Sequence, residues 1–92
     1  MIRSFRGKTT ERFAHGNRVP VFEAFRRAAE RRLQALDVTP SLTALRAIPG
    51  FRLEALRGDR KGQFSIRIND QWRVCFRWES DGAHDVEIVD YH

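Results

Sequence analysis

The sequence predicts an α+β domain, with helices packed on one face of a small, largely antiparallel sheet of four to five strands. Three observations lead there. Apolar residues recur with helical period from about residue 20 to 46 and then alternate in steps of two after residue 50. Turn signals divide the second half into short strands at hairpin spacing. The 92 residues, 41% hydrophobic and 32% charged, suit one modest core, so residues 1–92 form a single domain.

Each element has its own signal. Met1 to Phe5 reads as a short strand, with Ile2 and Phe5 apolar and Arg3 and Ser4 polar. Residues 8–15 suit one or two helical turns, ended by Gly16-Asn17. Pro20 fits a first helical position, and that helix runs to about Asp37. Phe22, Phe25, Ala29, Leu33 and Leu36 make its apolar stripe. Thr39-Pro40 starts a short helix carrying Leu42 and Leu45, and Pro49-Gly50 stops it. Strands follow at Phe51–Leu56, Gln63–Ile68, Trp72–Trp78 and Asp85–Val89. Asp59 to Gly62, Asn69-Asp70 and Ser80-Asp81-Gly82 turn between them.

The charge is uneven. The net is +5, and 15 of the 17 basic residues are arginine, with only Lys8 and Lys61 as lysine. Arginine offers a flat five-donor fork that matches phosphate and stacks on bases. Residues 1–36 carry nine basic and three acidic groups, and residues 79–92 carry five acids and no lysine or arginine. A basic body with an acidic last strand suits a polyanion partner, although a solvated arginine-rich surface has the same composition. No apolar run approaches a membrane span, and residues 1–6 lack the core of a secretory signal. With a single cysteine, a disulfide framework is excluded and a reduced, cytoplasmic setting is expected. No metal-ligand spacing and no phosphate-binding glycine loop occurs, so no metal and no cofactor are expected.

Strand parity places the chemistry. With Phe64, Ile66, Ile68, Trp72, Val74, Phe76, Val86 and Ile88 facing the helices, the opposite face carries Ser65, Arg67, Arg73, Cys75, Arg77, Glu87 and Tyr91, and Glu54 joins it. Arginines beside a carboxylate and a tyrosine make a phosphodiester site: the arginines hold phosphate charge and the carboxylate takes a proton. An open antiparallel face is also polar simply because water covers it. The chain ends Asp90-Tyr91-His92 directly after an apolar strand, where nearby negative charge favours the imidazolium that a general acid needs.

The stretch Leu53-Glu54-Ala55-Leu56-Arg57-Gly58-Asp59-Arg60-Lys61-Gly62-Gln63-Phe64-Ser65-Ile66-Arg67 resembles a motif of HigB toxins. Asn69-Asp70-Gln71-Trp72-Arg73-Val74-Cys75-Phe76 resembles their Trp-Arg strand, and the Asp-Tyr-His end matches as well. HigB is a branch of the RelE/ParE superfamily of type II toxin–antitoxin toxins. The resemblance implies a RelE-like fold and a metal-independent endoribonuclease that cuts mRNA on the translating ribosome. Such proteins enter the A site and contact 16S rRNA through basic surfaces. A HigA-like helix-turn-helix antitoxin neutralises them, and operator DNA is bound only through the toxin–antitoxin complex. The reaction is attack by a ribose 2′-OH on the adjacent phosphate, giving a 2′,3′-cyclic phosphate and a 5′-OH.

Carried onto this chain, the resemblance assigns Arg73 to the pentavalent phosphate and Asp90, Tyr91 and His92 to the active site. Some HigB toxins carry His where this chain has Glu54. Related YoeB toxins carry a Glu, regarded as the base, in the pattern Glu-x-Leu-Lys, which here reads Glu54-Ala55-Leu56-Arg57. Glu54 is therefore assigned as base and His92 as acid; the reverse assignment and an Asp90–His92 dyad stay open. Arg57 and Arg67 are expected to grip backbone phosphates, and Arg60 and Lys61 to grip phosphate or rRNA. The same fold also hosts toxins that bind DNA gyrase, and members that only bind an antitoxin.

Overall fold

The computed structural model describes residues 1–90. Its elements are α1 (Lys8–Ala14), α2 (Pro20–Glu23), α3 (Arg26–Val38), α4 (Leu42–Arg46), β1 (Glu54–Ala55), β2 (Phe64–Arg67), β3 (Trp72–Glu79) and β4 (Gly82–Asp90), with a 3₁₀ turn at Gly58–Arg60. The strands form one antiparallel sheet in the order β1-β2-β3-β4, a plain meander. The expected α+β architecture is therefore what the chain adopts. No helix among the described residues is long and apolar enough to cross a membrane.

The core lies between the helices and one face of the sheet, as the alternation predicts. Ala29, Leu36, Leu45, Ile66, Val74, Phe76 and Val86 are all fully buried there. Arg26 locks the helical layer: it pairs with Glu23 at 2.7 Å and Glu30 at 3.0 Å, and donates to the Asn17 carbonyl. Glu23 also accepts from the Val19 N–H at the start of α2, which satisfies one of that helix's orphan donors.

Three elements after residue 20 depart from expectation. The single helix over residues 20–37 is broken at Ala24–Phe25, where Phe25 sits at φ −128°, ψ 27°. The break lets Phe22 and Phe25 both flank Trp72, with ring centroids 5.7 and 5.2 Å away; aromatic packing outweighs helix continuity. The short helix that follows is capped by Ser41, whose Oγ accepts from the Ala44 N–H at 3.1 Å, and not by Thr39-Pro40. The strand expected over Phe51–Leu56 shrinks to two residues, because Gly50 (φ 82°) and Arg52 (φ 50°) both turn left-handed.

The N-terminal strand is reduced to two parallel bridges, Ile2 to Ala83 and Phe5 to Val86. It guards the outer edge of β4, whose N–H groups would otherwise be open. The Asp85 N–H donates to Ser4 Oγ at 2.8 Å, the Val86 N–H to the Ser4 carbonyl, and the Ile88 N–H to Thr10 Oγ1. β4 also carries a bulge: Cys75 pairs with Glu87 and Arg77 with His84, so two steps on β3 meet three on β4. Asp85 takes the extra place at φ 53°. The bulge explains how Ala83 and Val86, three apart, are both fully buried.

Candidate active site

One row of paired side chains runs across all four strands on the face of the sheet away from the helices. Glu54 on β1 pairs with Ser65 on β2, Ser65 with Cys75 on β3, and Cys75 with Glu87 on β4. Directly paired residues project to the same face, so the row reads carboxylate, hydroxyl, thiol, carboxylate. Each carboxylate meets an arginine. Arg73, two positions before Cys75, reaches diagonally: its Nη1 donates to Ser65 Oγ at 2.6 Å and its Nη2 to Glu54 Oε1 at 3.2 Å. At the other end Arg60 Nη2 donates to Glu87 Oε1 at 3.2 Å.

The middle of the row is dry, contrary to a face that is polar only because water covers it. Ser65 and Cys75 are completely buried. Burial pushes the Cys75 thiol above its ordinary pKa, opposed by the positive charge of Arg60, so the thiol stays protonated and serves as a small sheet residue. The ends differ. The Arg73 side chain is 11% exposed beneath a Glu54 side chain that is 53% exposed. An arginine seated below a water-facing carboxylate can hold an anion, with a proton acceptor at its mouth.

This arrangement stands in a chain whose residues 3–92 match the family model for HigB-like toxins, described as RelE-like toxins of type II toxin–antitoxin systems. The chain belongs to that family. Toxin HigB-1 of Vibrio cholerae serotype O1 is 35% identical over 96 residues, covering 100% of this chain and 98% of that protein. Endoribonuclease HigB of Proteus vulgaris is 37% identical over 62 residues, 66% of this chain and 65% of its own. A YoeB–YefM complex from Staphylococcus aureus shares the fold, with a TM-score of 0.62 at 15% identity over 100% of this chain and 98% of that one.

The remaining candidates of this HigB-like chain divide by what holds them. Arg57 and Lys61 are exposed on either side of the 3₁₀ turn. Arg60 is half-buried, committed to Glu87 and, through Nη1, to Gln63 at 3.1 Å. Arg67 pairs directly with Arg73 in the ladder; its guanidinium binds Asp70 and donates to the Asn69 carbonyl. Asp90 pairs with Trp72, one step out of phase with Arg73, and accepts from Gln71 Nε2 at 2.9 Å. The register thus brings Glu54 and Arg73 together and sets Asp90 on the Trp72 side. Tyr91 and His92 lie outside the described residues.

Two of the contacts to Arg73 were not marked by the sequence. Ser65 was placed on this face by parity, but its diagonal reach to Arg73 depends on register. The Arg52 carbonyl, which Arg73 Nη1 approaches at 3.5 Å, is turned inward by a left-handed residue that no alternation pattern reveals.

Proposed function

We propose that this HigB-like protein is the toxin of a type II toxin–antitoxin pair and acts as an endoribonuclease on mRNA engaged by the ribosome. The observation that carries the reading is the contact between Glu54 and Arg73, two residues far apart in sequence that the family resemblance singles out independently. In the proposed reaction a phosphodiester takes the place of the Glu54 carboxylate on Arg73. Glu54 is thereby released to accept the 2′-OH proton. The 2′-oxygen attacks phosphorus, Arg73 stabilises the charge gathering on the phosphorane oxygens, and the 5′-oxygen leaves with a proton from His92. The products are a 2′,3′-cyclic phosphate and a 5′-OH. Asp90 and Tyr91 are assigned beside His92 from their place in the chain terminus.

Glu54 faces water in the free protein, so its role as base rests on the bound RNA and ribosome to exclude solvent around it. The same requirement accounts for ribosome dependence: among the described residues the site is an open sheet face without a wall to orient RNA, and an external surface supplies the alignment. Arg57 and Lys61, exposed beside the site, and Arg67 at its edge supply phosphate contacts. Arg60, held by Glu87, is left a peripheral phosphate or rRNA contact and no part in holding the reacting phosphate. An antitoxin of HigA-like, helix-turn-helix type is the proposed neutralising partner, operator DNA is bound through that complex, and the setting is cytoplasmic.

The test is a pulse of expression in a bacterial host with mapping of 5′-OH ends on mRNA. Wild type, Glu54→Gln, Arg73→Ala and a chain lacking His92 are compared. Translation-dependent cuts that vanish with Arg73→Ala are the expected result. Growth arrest without new RNA ends would overturn the ribonuclease reading and favour a gyrase-directed toxin. No arrest and no cuts would indicate a chain kept only for antitoxin contact.

A further inference from the structure

We propose that Ser65 is the residue that positions Arg73, fixing the guanidinium independently of Glu54. In its catalytic consequence the inference rests on the ribonuclease reading; in its structural part it does not. Among the described residues only Thr10 and Ser65 are buried polar side chains. Thr10 is accounted for by the Ile88 N–H it accepts. Ser65 sits at a central position of β2, where Ala or Val packs as well and costs nothing in polar burial. Its hydroxyl is retained in a fully buried place for one described side-chain contact, the 2.6 Å hydrogen bond from Arg73 Nη1.

Among the described residues two side chains hold the guanidinium from different sides, and the Arg52 carbonyl lies farther off, 3.5 Å from Nη1. Ser65 grips Nη1 from the dry interior of the row, and Glu54 grips Nη2 from the water side. Only the second is disturbed by the proposed reaction. When a phosphate displaces the carboxylate, or when Glu54 takes a proton and becomes neutral, the Glu54 contact weakens. That is the moment at which Arg73 must face the phosphorane. The serine hydroxyl is neutral, does not titrate in the working range, and does not compete with phosphate for the arginine's charge. A donor fixed before charge develops stabilises it without reorganisation, which is where electrostatic catalysis gains most.

The experiment compares Ser65→Ala, Ser65→Thr, Arg73→Ala and the Ser65→Ala/Arg73→Ala double variant in ribosome-stimulated cleavage. It also records the ¹⁵N spectrum of the Arg73 guanidinium in the free protein. Ser65→Ala removes one oxygen and little packing, and its fold is checked by circular dichroism. It is expected to lower kcat roughly 10- to 100-fold, the scale of a misplaced catalytic group. KM should change by less than about twofold, because the loss falls on the transition state. Ser65→Thr, which keeps the hydroxyl, is expected to restore most of the rate. Whatever residual cleavage Arg73→Ala retains should be unchanged by adding Ser65→Ala, since the serine acts through the arginine. Restricted rotation of the Arg73 guanidinium should be visible in wild type and lost in Ser65→Ala. A folded Ser65→Ala with unchanged kcat overturns the proposal, as does a further loss in the double variant. Unchanged guanidinium rotation overturns it without reference to activity. A wild-type protein that cuts no RNA refutes the ribonuclease reading alone, and the rotation measurement then decides the role of Ser65.

Discussion

Arg32 offers a sharp test of how this arginine-rich chain uses its charge. Its Nε donates to the Arg67 carbonyl at 2.9 Å, and its guanidinium lies 4.8 Å from the centroid of the Phe51 ring. The neighbouring Arg31 is exposed. Arg32 therefore ties α3 to the end of β2 and to the turn that leads into Glu54. A hydrogen bond from a charged donor contributes roughly 1.5–3 kcal/mol. A cation over an aromatic face adds about 0.5–1 kcal/mol. Burial opposes both, and it lowers the Arg32 pKa, with help from the like charges of Arg31 and Arg67. The net is about 2 kcal/mol, which for a domain of this size moves Tm by roughly 8–16 °C. Thermal denaturation of Arg32→Ala should show that drop, while Arg31→Ala stays within the roughly 0.5 kcal/mol scatter of surface substitutions. Hydrogen exchange supplies the local check. The Arg67 N–H bonds the Phe51 carbonyl at 2.6 Å, and its protection should fall in Arg32→Ala. Equal Tm for the two variants would refute the reasoning, because both would then be solvated charges.

Three further outcomes follow from other parts of the fold. Gly82 has φ +127°, and a Cβ there would lie 2.0 Å from the Met1 carbonyl oxygen; Gly82→Ala should cost roughly 2–4 kcal/mol in backbone strain and lost edge hydrogen bonds, with exchange protection lost at the Arg3 and Ala83 amides. The side-chain hydrogen bond from Arg26 holds the Glu23 pKa below its ordinary value of 4.5. Its stabilisation is thus complete above about pH 4.5 and lost as pH falls through the folded value, so denaturant titrations should find Glu23→Gln with a flatter acid limb than wild type. The proposed ribosome association should weaken steeply with added salt, as phosphate contacts release counterions, and an affinity unchanged from low to high salt would sink the electrostatic account of docking.

Much of this was legible because period-two alternation is a strong signal. The inward set Ile66, Ile68, Val74, Phe76, Val86 and Ile88 follows from parity alone, and so does the shared face of Glu54, Ser65, Arg73 and Glu87. What stayed hidden depends on events without a periodic signature. The break at Phe25 is a tertiary choice, made because Trp72 accepts two rings at once. The bulge at Asp85 and the left-handed Arg52 are single backbone angles on residues that do not advertise them. Asp90 is assigned to the site by the family resemblance, and its pairing with Trp72 in the ladder is a matter of register that the resemblance does not carry.

The two ends of the row show why one arginine–carboxylate pair suits chemistry and the other suits the fold. At Arg60–Glu87 the partners are about equally accessible, 31% and 26%, so neither can be reached without the other. An incoming phosphate meets the carboxylate's repulsion as soon as it meets the arginine. Arg60 also belongs to the 3₁₀ turn, and moving it disturbs the Gln63 contact that closes that turn. At Arg73–Glu54 the exposures are 11% and 53%, and the asymmetry is the useful feature. Glu54 stands on a two-residue edge strand on the water side, and it can swing away without dragging the core. Arg73 stays behind, held from below by a buried hydroxyl. In the proposed reaction one anion is thereby exchanged for another over a fixed cation, and the departing anion is left beside the proton that has to be moved.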